Sequence, residues 1–208
     1  MIYWVIAIVI VTGFVPVVLA HKIKFYPFNY IKPYLWLLFL ASFYEGLFSL
    51  ILKVDPHYWL LTYSFAEFAV LAYYYNRILN KKYQNIIILL GAFYAIGGIT
   101  AYLTVYDPLY FDKYFGCVTT IFVYIFTILW FKDLFLELNV KSLWQLPEFY
   151  FVSAFLLYFS GTFFLFLLAE TIFKNKETHY IDYVIVNIGL SFVLRILTII
   201  GIWKARKV

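Results

Sequence analysis

The chain alternates between long apolar runs and short polar breaks, and the runs share nearly one length. Seven stretches, roughly 2–20, 34–53, 57–78, 85–105, 113–135, 148–170 and 181–203, are dominated by aliphatic and aromatic residues. About 20 apolar residues in helical form cover the hydrocarbon core of a bilayer, and a helix satisfies its own backbone hydrogen bonds there. The pattern predicts an all-α integral membrane protein, a seven-transmembrane-helix bundle that uses residues 1–208 as a single domain. The punctuation agrees. Pro33 and Pro147 stand where the second and sixth helices would begin, a position that tolerates a missing N–H. Asp55-Pro56 and Asp107-Pro108 open turns between helices two and three and between four and five, and Pro16 should kink the first helix. The two helix–Asp-Pro–helix units lie 52 residues apart and match only in the turn and the hydropathy.

Composition makes lipid the only fitting solvent for this surface. The chain is 65% hydrophobic and 13% charged, where a soluble domain carries about 25% charge. One soluble core of this size could not hide the excess. Ile2–Ala20 has no basic residues before it and no small-residue cleavage site after it, so it reads as a retained span and not a signal peptide. Lysine and arginine set the orientation. Lys22, Lys24, Lys32, Arg77, Lys81, Lys82, Lys132, Lys141, Lys204, Arg206 and Lys207 fall on one side, against Lys53, Lys113, Lys174 and Lys176 on the other. The basic side is expected in the cytoplasm, which puts the N-terminus outside and the C-terminus inside. The net charge of +5 belongs to those loops and not to a nucleic-acid surface. Membrane lipids are the first expected partners.

Charge inside a bilayer costs about 2.5–3.5 kcal/mol per group near the centre, so buried charges come with partners and a purpose. Glu45 in helix two, Glu67 in helix three and Arg195 in helix seven are the candidates. Asn187, Ser191, Arg195 and Thr198 follow at spacings of 4, 4 and 3 and share one helix face, expected to point into the bundle. Ser42, Glu45 and Ser49 form a smaller polar face. Tyr63 and Tyr74 share a face with Glu67, so their phenols are expected to reach its carboxylate. The expected ligand or ion network is Glu45, Glu67, Asn187, Ser191 and Arg195, with the arginine balancing one or both glutamates. The same groups also serve a plainer role, as hydrogen bonds that join helices. Ser160-Gly161-Thr162 in helix six is a candidate hinge or a close-packing point. Gly91, Ala95, Gly97, Gly98 and Ala101 in helix four fit close helix approach. Trp36, Trp59, Trp130, Trp203 and Tyr73 to Tyr75 lie near span ends and suit an interfacial belt.

Several chemistries lack their residues. Helix seven has no lysine before Lys204 to form a retinal Schiff base. His21, His57 and His179 fall at loops or span ends on opposite sides, so they build no zinc cage and no base for an intramembrane serine. Cys117 is the only cysteine, which leaves no disulfide and no thiolate cluster. No nucleotide-binding glycine pattern is present. The expectation is a protein without cofactor, metal or catalytic residues.

Glu67-Phe68 in helix three, the stretch Tyr158 to Phe166 in helix six and Asn187 in the last helix resemble uncharacterised bacterial seven-span proteins of about 200 residues. Thr162 departs from the asparagine that often follows the glycine in that stretch. The resemblance implies a stand-alone version of a seven-span sensor module in a bacterial cytoplasmic membrane, working beside a membrane or cytoplasmic partner such as a histidine kinase. The leading expectation is thus a non-enzymatic sensor that binds a small or lipidic ligand within the bundle. A small proton- or cation-coupled transporter or channel using the carboxylates is the runner-up, and an accessory subunit of a larger complex is third.

Overall fold

The computed structural model describes residues 2–21, 28–44, 47–48, 52, 57–104, 108–137, 142–174 and 179–206. Seven long helices follow in order: α1 Ile2–His21, α2 Lys32–Tyr44, α3 His57–Ile78, α4 Gln84–Thr104, α5 Pro108–Glu137, α6 Pro147–Lys174 and α7 His179–Ala205. Short 3-10 helices at Phe28–Ile31 and Leu143–Gln145 lead into α2 and α6. No strand occurs among the described residues. Pro147 opens α6 as the sequence predicts, and Glu148 beside it places an acid in the first turn, where the helix dipole favours negative charge. Proline also opens α5, five residues ahead of the predicted run, because position 108 offers a pre-set helical φ and needs no N–H partner.

Among the described residues, four helices contain stretches long and apolar enough to cross a membrane, Gln84–Ala101, Tyr114–Leu136, Pro147–Leu165 and Ile185–Ala205, and Val11–His21 is an apolar stretch within α1. The sequence predicts seven spans. The helix α3 has the length but also Tyr63, Ser64, Glu67, Asn76 and Arg77, which lower its hydropathy. The described part of α2 ends at Tyr44, short of the predicted limit at 53.

Helices α6 and α7 pack along each other most extensively, α5 lies against α6 and α3, and α1 sits against α2 and α7. Helix α4 touches α3 and, more sparsely, α5. The outer surface is apolar: Ile128, Leu136 and Phe93 are 67%, 68% and 66% exposed. The interior holds polar groups, with Arg195 only 5% exposed and Ser42, Thr119, Thr120, Thr127 and Thr162 buried. In water this distribution would forfeit the hydrophobic stabilisation of the exposed side chains. It is consistent with a membrane protein.

The core is aromatic. Tyr34, Tyr74, Tyr75, Phe126, Phe151, Phe155 and Phe159 are fully enclosed. Tyr74, Tyr75 and Trp130, expected in an interfacial belt, are therefore core residues, and of that tyrosine run only Tyr73 is exposed. The reason is that α5 and the first 3-10 helix both pack on α3 and cover its last turns. Beyond Ile78 the chain turns through Asn80 and Lys81 at φ 50° and 60°, a left-handed conformation that asparagine tolerates. Lys82 then reaches Asp133 on α5 at 2.7 Å. The Asp133 carboxylate that accepts this bond raises the lysine's pKa above 10.5.

Candidate functional site

Arg195 is the centre of the buried polar structure, and its two terminal nitrogens are held by helices that the chain visits first. Nη1 donates to Thr12 Oγ1 at 2.8 Å and Nη2 to Ser42 Oγ at 2.7 Å. Each hydroxyl spends its own proton on its helix, Thr12 on the Ile8 carbonyl and Ser42 on the Leu38 carbonyl. That leaves oxygen lone pairs facing the guanidinium, so both hydroxyls act as fixed acceptors. The α1–α2 crossing needs Gly13. A Cβ there would lie 2.8 Å from Ser42 Cβ and collide with its hydroxyl. Glycine lets Ser42 come close enough to help hold Arg195.

The guanidinium also borders a cavity of about 130 Å3 between α2, α3, α5, α6 and α7. Glu67 and Tyr63 face it from α3, Tyr158 from α6, Thr119 from α5, and Ser42 and Ser191 from α2 and α7. Trp59 borders it near the start of α3. Eight residues of rise separate Trp59 from Glu67, roughly 12 Å along the helix. Tyr63 donates to Glu67 Oε1 at 3.0 Å. At about 30 Å3 of liquid volume per water, the space matches about four water molecules. One acid, one guanidinium and several hydroxyls thus surround a volume suited to a small polar molecule and too small for a whole lipid.

The sequence-predicted residues separate as follows. Glu67, Ser191 and Arg195 meet at one cavity. Asn187, one turn before Ser191 on α7, is half-buried and does not border it. Glu45 and Ser49 lie outside the described residues. Tyr63 reaches Glu67 as expected, but Tyr74 does not, because two helical turns, roughly 10 Å, separate it from the carboxylate. Its ring packs instead on Tyr30, Tyr75 and Phe155. Helix α6 continues unbroken through Ser160, Gly161 and Thr162. The Ser160 and Thr162 hydroxyls bond back to the Leu156 and Tyr158 carbonyls, and a Cβ on Gly161 would collide with Leu190 of α7. That position is a close helix approach.

Sequence reasoning missed Thr12, Ser64, Thr119 and the role of Gly13. Thr12 carried a signal, as the lone hydroxyl in the run from Val5 to Ala20. Thr119 did not, because nothing in the chain marks which face of α5 meets α3. Among the described residues no three His, Cys, Asp or Glu side chains gather to hold a metal ion. The chain matches no family model, no curated protein and no solved structure. What it does has to follow from its own residues.

Proposed function

We propose that the protein is a non-enzymatic membrane sensor that binds a small polar ligand in the cavity between Glu67 and Arg195. The ligand offers an acceptor or negative group to the guanidinium and a donor or positive group to the carboxylate. The single observation behind this reading is the cavity itself, a partly open space set among five helices of a bundle with an apolar exterior and lined by both charges. A pair that served only to join helices would need no such space. In the proposed orientation, with N-terminus outside and C-terminus in the cytoplasm of a bacterium, the cavity lies on the outer half of the bundle beside the start of α3. Ligand binding would draw α2, α3 and α7 together, and the basic cytoplasmic side would pass that change to a partner protein, with a histidine kinase as the candidate class.

A second reading rests on Glu67 alone. An intramembrane carboxylate is a common feature of proton and ion pathways, and a small coupled transporter would use it as the carrier.

Native mass spectrometry of the protein purified in mild detergent tests the first reading. A small molecule should accompany the wild type and be lost from both Glu67→Gln and Arg195→Met. The glutamine keeps the Tyr63 hydrogen bond, so that variant folds. A cavity empty in the wild type, or a bound molecule that survives both changes, would refute the ligand site.

A further inference from the structure

The two charges on the cavity are held in an unusual way. The bonds shown for them run to neutral hydroxyls and not to each other: Tyr63 donates to Glu67, and Arg195 donates to Thr12 and Ser42. Lys82 and Asp133 at the end of the bundle behave differently and meet directly at 2.7 Å. Arg195 is only 5% exposed, yet it borders the same space as Glu67. A carboxylate from α3 and a guanidinium from α7 thus stand on one cavity, each steadied by hydroxyls.

Charge balance selects the class of occupant. Among the described residues the lining has one carboxylate and one guanidinium, and its other polar side chains are hydroxyls and the Trp59 indole. An occupant of either sign would add net charge between membrane helices, where charge is costly. A neutral polar molecule would answer neither charge in kind. A zwitterion adds no net charge and answers both. Its acidic end suits the guanidinium, whose planar fork matches a carboxylate. Its basic end is best a primary ammonium, which brings three N–H donors. Thr119 spends its proton on the Phe115 carbonyl at 2.9 Å, so it can offer the cavity only lone pairs. Those accept from N–H and gain nothing from a quaternary ammonium.

Size narrows the class further. The cavity of about 130 Å3 matches about four waters, and because bonded atoms pack closer than separate waters, about six non-hydrogen atoms fit. Leu38, Ala41 and Leu194 make part of the lining apolar, which suits a methylene or methyl group between the charged ends. We propose that the ligand of this cavity is a small amino acid of the size of glycine, alanine or β-alanine, with its carboxylate on Arg195 and its ammonium on Glu67. This rests on the ligand reading above and names the class of molecule that fills the site.

The test is equilibrium dialysis of the full chain in mild detergent against radiolabelled glycine, alanine and β-alanine, after removal of any co-purified molecule. At least one of them should bind, with one molecule per chain. Glycolate and methylammonium, which each keep a single charge, should compete about a hundredfold more weakly, as removing one member of a close charge pair does. Betaine, which has both charges but no N–H, and leucine, whose side chain exceeds the space, should also compete poorly. These comparisons use the wild type alone, so they do not depend on a variant that folds. Competition by any of the four as strong as that of the bound amino acid would overturn the proposal, as would binding that survives in both Glu67→Gln and Arg195→Met. Failure of all three amino acids to bind would overturn it too. In that case the native mass spectrum keeps the two readings apart, because a co-purified molecule lost from both variants retains the ligand site and removes only its amino-acid occupant.

Discussion

Two spaces in this bundle make opposite use of their walls. The larger, about 530 Å3, is a groove between α4 and α5 lined by Phe68, Phe93, Phe115, Val118, Ile121 and other apolar groups. The smaller, about 130 Å3, holds Glu67 and Arg195 among hydroxyls. Volume alone would favour the groove. In a membrane an apolar groove is filled by acyl chains at no cost, whereas charges around a space within the bundle cost free energy unless something compensates them. The chemistry is expected where that cost is met, and so in the smaller space.

The largest expected effect tests whether the cavity wall is also structural. Arg195→Met removes two charge-assisted hydrogen bonds and strands no donor, because Thr12 and Ser42 keep their bonds to their own helices. At about 1.5 kcal/mol or more for each hydrogen bond to a charged group, the loss should be about 3 kcal/mol, read as a lower unfolding midpoint in detergent. An unchanged or higher midpoint would mean that the buried charge costs more than its partners return and that stability does not explain its presence.

A smaller effect sets the groove against the α3–α4 contact beside it. Gly97 and Gly98 are adjacent, yet a Cβ on Gly97 meets nothing within 4 Å while one on Gly98 collides with the Phe65 ring. Gly98→Ala should destabilise by about 1–2 kcal/mol, as overpacking does. Gly97→Ala should be neutral or stabilise by up to about 1 kcal/mol through helix propensity. Thermal unfolding of the two variants side by side decides it. Equal effects would mean that α4 packs as tightly on the groove side as on α3.

Helix number and the inward polar face of α7 were legible because hydrophobic periodicity survives in lipid as it does in water. Glu67, Ser191 and Arg195 border one cavity. The sequence offered them as one network on the strength of shared helix faces, together with Asn187, which does not border it, and Glu45, which lies outside the described residues. The hydroxyls that hold the arginine were not legible, because α1 and α2 lie far from α7 in the chain and only packing makes them neighbours. Tyr74, Tyr75 and Trp130 were misplaced for a related reason. Tyrosine and tryptophan at a span end suit either an interface or a covered core, and the residues themselves do not reveal the cover. Likewise Gly97 and Gly98 look equivalent in sequence and differ only through one ring on another helix.

The most direct test of the cavity as an aqueous ligand site is thiol accessibility in a Cys117→Ser background. Ser191→Cys places a thiol at the cavity and Val118→Cys places one in the groove. With the protein in a membrane, a small charged, water-soluble thiol reagent should modify the first and leave the second unreacted. Reaction at position 118 with none at 191 would contradict the account, because the polar space would then be sealed from water and the groove would be the open one.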